Sequence, residues 1–343
     1  MPRIGVAHVA GKYTVPSGSG TQFADGSSAI LAAGYPTLKI YCTGSYLTDY
    51  PLQSSWSSVP TTCKQLAQTT QFATELAKDW HTVILTTFSF ANGPFNWWRS
   101  DIDVAKLNAE YTELYDLACY LLSTYNGTGR RFVFQNWEGD WAFMDAFTPD
   151  TYVDRKMVDR YVAFHGARKR AILQARRDTP SDCSVLFAFE CNRVVDMRLY
   201  PHRRRILRDI APRIQPDVIS YSAYDGTIVD QGSWGADYAA WDAATTPVFR
   251  KALRSIALAF PGVPIQIGEF GYPEGPEKPF GRDIGAMVTR TYEIASEVGA
   301  LVDFIYWEVF DNEEYSPGVP RGFYVVKPDG TTSAAGTALE ALL

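Results

Sequence analysis

The sequence predicts an α/β protein, a single (β/α)8 TIM barrel spanning residues 1–343, and three observations predict it. Short β-branched and aromatic runs alternate with longer stretches of helical period, the pattern of a parallel sheet built from βα units. Eight such runs can be counted: Ile4–His8, Leu38–Cys42, Thr82–Phe88, Phe132–Asn136, Val185–Glu190, Val218–Tyr224, Ile265–Glu269 and Phe304–Trp307. The 343 residues suit one barrel with loop insertions, and no linker or low-complexity tract divides them. An open doubly wound sheet is the competing architecture, because strand order is not written in a sequence.

Helical stretches separate these runs. Thr62–Trp80, Val104–Tyr125, Tyr152–Arg177, Pro247–Phe260 and Asp283–Val298 carry apolar residues at three-to-four spacing. Asp150, ahead of Thr151 and Tyr152, reads as an N-cap; Thr246 reads as a cap with Pro247 at the first helical position. The longest non-periodic segments, Thr43–Thr61, Ser89–Asp103, Gly139–Asp150, Asp225–Thr246 and Gly271–Arg282, all follow strand ends. In a barrel these are the loops of the C-terminal face, where active sites sit. Surplus aromatics gather in them, namely Trp56, Trp97, Trp98, Trp141, Trp234 and Trp241.

Composition narrows the chemistry. A net charge of −6 provides no broad basic surface for phosphate, so a nucleic-acid partner is not expected and a neutral ligand fits better. Arg203, Arg204 and Arg205 form the one basic run and read as a solvated helix start. Five scattered cysteines, with no C-x-x-C pair, suggest neither a disulfide framework nor a zinc or redox site. No run of about 18 apolar residues is present, so no membrane span is expected. Met1–Ala10 shows no secretory pattern, which makes a cytoplasmic location the expectation, or a secreted one if a leader was removed. The four histidines, His8, His81, His165 and His202, form no metal-binding pair, and neither a nucleophile elbow nor a P-loop occurs. No metal or cofactor is expected.

Two strand ends carry carboxylates. In Arg131–Trp141 an extended strand would place Phe132, Phe134, Asn136 and Glu138 on one side, with Asn136 and Glu138 at the barrel mouth. In Pro264–Pro273 the same parity groups Ile265, Ile267 and Glu269, leaving an ionisable group at the end of a buried strand. The last strand ends in Trp307, a candidate floor for a sugar ring, followed by Glu308 on the opposite side. Cleaving a glycosidic bond needs one protonated carboxyl for the leaving oxygen and one ionised carboxylate for the oxocarbenium-like centre. Glu138, beside Trp137 and Trp141, suits the acid; Glu269 suits the nucleophile, with Tyr224 or Tyr221 as hydrogen-bond donor.

This pattern resembles the retaining glycosidases of glycoside hydrolase clan A over essentially the whole barrel. The resemblance implies an acid/base Glu after an Asn at the fourth strand end, matched by Asn136 and Glu138. It implies a nucleophile ending the seventh strand, matched by Glu269, a Tyr ending the sixth, matched by Tyr224, and a Trp ending the eighth, matched by Trp307. Trp137 intervenes between Asn136 and Glu138, and Tyr41 with Thr43 and Thr87 with Ser89 stand where relatives carry Arg and His. The expected substrate is an oligosaccharide, polysaccharide or glycoside, bound by Asn136, Trp137, Tyr224, Trp307, Trp97, Trp98, Trp141 and Trp234. Asp140 is the reserve acid, and Glu190 or Glu308 a supporting carboxylate. A carbohydrate-binding barrel without catalysis would suit the loop aromatics equally well; the presence of both Glu138 and Glu269 argues against it.

Overall fold

Eight parallel strands close into a barrel in sequence order: β1 (Arg3–His8), β2 (Thr37–Cys42), β3 (Thr82–Thr87), β4 (Arg131–Gln135), β5 (Ser184–Cys191), β6 (Val218–Ser222), β7 (Ile265–Phe270) and β8 (Leu301–Tyr306). The computed structural model describes residues 1–343 apart from 17, 20, 93–96, 100–101, 145–146, 149, 229–236 and 277–282. Strand β1 pairs with both β2 and β8, so the sheet has no free edge and the open-sheet alternative falls.

Alternation along the strands sorts the core into two layers. Ala7, Ile84, Val133, Ala188, Val218 and Ile305 form a cluster inside the barrel. Their chain neighbours Val6, Leu85, Phe132, Phe134, Phe187, Ile219 and Phe304 join the larger cluster shared with the helices. The interior is not wholly apolar. Arg131 and Asp303 pair at its lower end, and Lys39, Gln135, Glu190, Ser220 and Gln266 are buried higher up. Groups like these stay inside only when hydrogen-bonded or paired.

Helix starts follow cap chemistry more closely than apolar period. The helix Arg155–Asp178 begins at Asp154, not Asp150, because the Asp154 carboxylate accepts the Met157 N–H at 2.7 Å. The helix Tyr238–Ala259 is capped by Asp237, which accepts from the Ala240 N–H at 2.9 Å; Pro247 therefore lies in its interior, not at its first turn. The stretch expected as one helix from Thr62 to Trp80 is two, Cys63–Gln68 and Thr70–Ala77. The Thr69 hydroxyl accepts the Phe72 N–H at 3.3 Å and restarts the chain as a new helix. Among the described residues, no helix is long and apolar enough to cross a membrane.

The loop aromatics divide. Trp97 and Trp98, expected as sugar contacts, are core residues. The short 3-10 turn Trp97–Arg99 packs on the helix Arg155–Asp178, where Trp98 stacks on Phe164 at 4.5 Å between centroids and Trp97 meets the same ring edge-on at 5.4 Å. Two indoles near a long apolar helix face gain more by leaving water than by standing in a cleft. Trp241 is also buried, its indole N–H donating to the Thr227 carbonyl at 3.2 Å, and Trp56 packs among Tyr46, Tyr50 and Phe72. Trp234 lies outside the described residues. Trp98→Ala is expected to lower the unfolding free energy by about 3–5 kcal/mol, as for other buried aromatics. Urea titration checks it, and a change below about 1 kcal/mol would contradict the buried placement.

Candidate active site

The fourth strand stops earlier than its sequence suggests, and this decides where its polar residues go. Strand β4 ends at Gln135, and Asn136 turns away from the barrel mouth. Its side chain donates to the Glu190 carbonyl at 3.0 Å and accepts the Glu190 N–H at 3.0 Å, stapling β4 to β5. Asn136 is therefore not a cleft residue, contrary to strand parity. Trp137 and Glu138 follow in a turn ahead of the helix Gly139–Met144, and both line the cleft.

At β7 the departure from parity works in the opposite sense. Ile265 and Ile267 face the outer apolar layer, and unbroken alternation would send Glu269 the same way. The register with β6 reads Ser220↔Gln266, Tyr221↔Ile267 and then Ser222↔Glu269, so Gly268 is an extra residue. Such a bulge re-aims the side chain that follows it. Glu269 joins Ser222 on the inner side, facing Glu138. Gly268 has no room for a side chain, since a Cβ there would run into the Ser220 hydroxyl and a Glu190 carboxylate oxygen.

The cleft has a volume of about 800 Å³. Glu138 and Glu269 share it with Trp307 and Tyr41 on the barrel side, Trp137, Trp141 and Tyr224 on the loops, and Phe323 and Arg321 from the segment after β8. Trp141 also carries the Arg193 guanidinium 4.6 Å from its ring centroid. The Trp307–Glu308 peptide is cis.

The two carboxylates have unequal surroundings. Glu269 is 4% exposed, and its Oε2 lies 3.2 Å from the Lys39 ammonium. Burial raises its pKa to about 7; the Lys39 charge and a hydrogen bond from the Tyr224 hydroxyl oppose that rise, while Glu190 adds to it. Glu138 is half-buried and forms no ion pair among the described residues, although the Lys39 charge acts on it weakly. Burial, then the charge of Glu269, push its pKa well above the usual carboxylate range, and the Ser222 hydroxyl, donating to its Oε1 at 2.7 Å, only partly offsets this. The pair thus holds its proton on Glu138 first.

Lys39 was not apparent as a site residue in the sequence, although a signal exists: a lysine between Leu38 and Ile40, in an apolar run, must be paired if that run is a strand. Ser222 and the Asn312–Phe323 segment offer no comparable signal. The reserve carboxylates take other places. Asp140 is buried and accepts from the backbone N–H groups of Asn192, Arg193 and Ile206 at 2.9–3.1 Å, so it braces loops and does not reach the cleft. Glu308 accepts from the Val9 and Asn312 N–H groups at 3.4 and 3.0 Å. Glu190 lies beneath the cleft, between the two lining carboxylates. His8 faces outward, its Nε2 3.0 Å from the Gln22 carbonyl oxygen.

No family model matches the chain, and no curated protein matches it in sequence. Solved structures do. A variant of GH5_18 from Streptomyces cattleya in complex with Manβ1-4GlcNAc is similar at TM-score 0.61 and 15% identity, over 100% of this chain and 80% of that one. A GH5_18 from Bifidobacterium longum subsp. infantis gives 0.62 and 14%, over 100% and 79%. A GH5-4 broad specificity endoglucanase from Clostridium acetobutylicum gives 0.58 and 15%, over 99% and 96%. At these identities the likeness establishes the barrel fold.

Two outcomes follow from the site's geometry. Ser222→Ala removes a donor that favours ionised Glu138, so the carboxyl should titrate at higher pH; 13C NMR of glutamate-labelled protein reads this, and an unmoved midpoint counts against the bond. Gly268→Ala should destabilise the barrel by about 1–3 kcal/mol through overpacking, measured by denaturant unfolding.

Proposed function

We propose that this protein is a retaining glycoside hydrolase, the whole chain serving as one catalytic unit, with Glu138 as acid/base and Glu269 as nucleophile. The observation that carries the reading is the Gly268 bulge: it brings Glu269 into one cleft with Glu138, against the Lys39 ammonium that Glu138 does not touch. The carbohydrate ligand and the endoglucanase name attached to the solved neighbours support the same reaction class.

The geometry translates into a two-step displacement. A sugar ring rests against Trp307, with flanking rings against Trp137 and Trp141, whose faces suit the CH groups of neutral sugars. Protonated Glu138 donates its proton to the glycosidic oxygen as the ionised Glu269 attacks the anomeric carbon, and the leaving group departs as an alcohol. Glu138, now a carboxylate, takes a proton from water. That water attacks the same carbon and releases Glu269. The Tyr224 hydroxyl steadies Glu269 when it is charged. Asn136 has no part at the sugar, because both ends of its amide are held by the β5 backbone. The substrate class is an oligosaccharide, polysaccharide or glycoside, and no step calls for a metal or cofactor.

Glu138→Ala and Glu269→Ala should each lower turnover on a cleaved glycoside by orders of magnitude while circular dichroism and unfolding stay close to the parent protein's. Wild-type rates in either variant would refute that residue's role, and a parent protein that binds oligosaccharides without cleaving any would favour the non-catalytic barrel. The first anomer formed, read by 1H NMR, should match the substrate's configuration; inversion would instead fit carboxyl groups roughly 6.5–9.5 Å apart. Because Glu269 must be ionised to attack, kcat/KM should fall as the pH drops below about 7, while burial keeps the proton on Glu138 well above the usual carboxylate range. A strong chelator should leave the rate unchanged.

A further inference from the structure

Beneath the cleft, the barrel interior holds an ion pair that the displacement reaction does not itself use. Lys39, from β2, is 1% exposed. Its ammonium donates to the Gly268 carbonyl at 2.8 Å and to Glu269 Oε2 at 3.2 Å, with Glu190 Oε2 at 3.7 Å. Glu190, from β5, is fully buried and uses both oxygens. Oε1 accepts the backbone N–H of Glu138 at 3.0 Å; Oε2 accepts from Gln135 Nε2 at 3.0 Å and Ser220 Oγ at 2.9 Å.

We propose that Lys39 and Glu190 act together as positioning residues that link the two catalytic carboxylates: Glu190 seats the backbone of Glu138, and Lys39, whose charge is shared between Glu190 and Glu269, favours ionised Glu269 and fixes the Gly268 bulge. The proposal rests on the two-carboxylate reading of the cleft. Its geometric basis is the chain Glu138 N–H to Glu190 to Lys39 to Glu269, in which the first contact is part-buried, the other two are buried, and each partner comes from a different strand or strand end. Lys39 touches the bulge at its carbonyl as well as the carboxylate beyond it, so one ammonium sets both the backbone path and the charge of the nucleophile. A buried lysine serving only the core would need one counter-ion; this one is shared between two carboxylates, and only one of them reaches the cleft.

The groups facing Glu269 are Lys39 and Tyr41 from β2, Glu138 after β4, Glu190 from β5, Tyr224 after β6 and Glu308 after β8. Removing either member of the pair therefore moves Glu269 in opposite senses. Lys39→Met takes away the attracting charge, so Glu269 should hold its proton to higher pH. Glu190→Gln removes a repelling charge and leaves Lys39 to Glu269 alone, so Glu269 should lose its proton at lower pH. Lys39→Arg keeps the charge and should return the midpoint toward the parent value.

The test is a 13C NMR titration of glutamate-labelled full-length protein, with the Glu138 and Glu269 signals assigned through Glu138→Gln and Glu269→Gln. Opposite displacements of the Glu269 midpoint in Lys39→Met and Glu190→Gln support the proposal. Midpoints that stay put, or move the same way in both, overturn it. If Lys39→Met does not fold, Glu190→Gln and Lys39→Arg carry the same decision. In parallel, kcat of Lys39→Met and Glu190→Gln on a cleaved glycoside should fall roughly 10²-fold with KM little changed, the size of loss that misplacement of a reacting group produces, and Lys39→Arg should recover part of it. The titration needs no turnover: a protein that shows the opposite displacements yet cleaves no sugar would refute the hydrolase reading and leave the coupling intact.

Discussion

A charge inside a β-barrel must find its opposite there, and this constraint organises the molecule from the throat of the barrel outward. Transferring an isolated ammonium or carboxylate into a packed interior costs far more than a domain's whole stability margin, so such groups survive only in satisfied networks. Lys39 is the cation of that network. Glu190 and Glu269 are its counter-charges, with Gln135 and Ser220 filling remaining positions on Glu190. The strands supplying these residues lie on different sides of the barrel, so the network forms only when the sheet closes. Stability of the interior and assembly of the cleft floor are consequently the same event.

The cleft inherits its asymmetry from that floor. Glu269 has a lysine beneath it and a tyrosine hydroxyl beside it, whereas Glu138 has a serine hydroxyl and feels the same lysine only as a lesser influence. Two carboxylates that would otherwise compete for one proton are told apart by what lies below them. The rim adds shape more than charge: Trp137, Trp141 and Trp307 present aromatic faces, and Arg193 and Arg321 are each paired with a carboxylate, Asp196 and Glu313.

Irregular backbone at the strand ends is the device that turns a repetitive fold into a particular site. Strand β4 ends one residue short of Asn136, which frees Asn136 to clamp β5 and lets the following turn deliver Glu138. Strand β7 inserts Gly268, which turns Glu269 inward. Both departures sit at the C-terminal rim, where bulges commonly re-aim side chains and where the ladder no longer dictates direction. Lower in the barrel, β7 and β8 also shift register between Ile265 and Gln266.

Much of the fold was legible in the residues themselves. Eight apolar runs separated by helical periods encode a closed parallel barrel, since burial on both faces leaves a strong local pattern at every strand. The two carboxylates were legible too, as polar groups at the ends of apolar runs. What the chain order could not express was direction. Parity assigned Asn136 to the cleft and grouped Glu269 with Ile265 and Ile267; a shortened strand and a one-residue bulge reversed both, and each depends on hydrogen bonds to a neighbouring strand distant in sequence. Trp97 and Trp98 read as binding aromatics because they sit in a loop, but the helix Arg155–Asp178 offered them an apolar face that local composition does not reveal. Sequence by itself determined which elements form and which chemical groups reach the rim, because those follow from local period and polarity. Only the closed barrel decided which groups meet, because the pairing of Lys39 with Glu190 and Glu269 is a contact among strands that are neighbours in neither sequence nor sheet order.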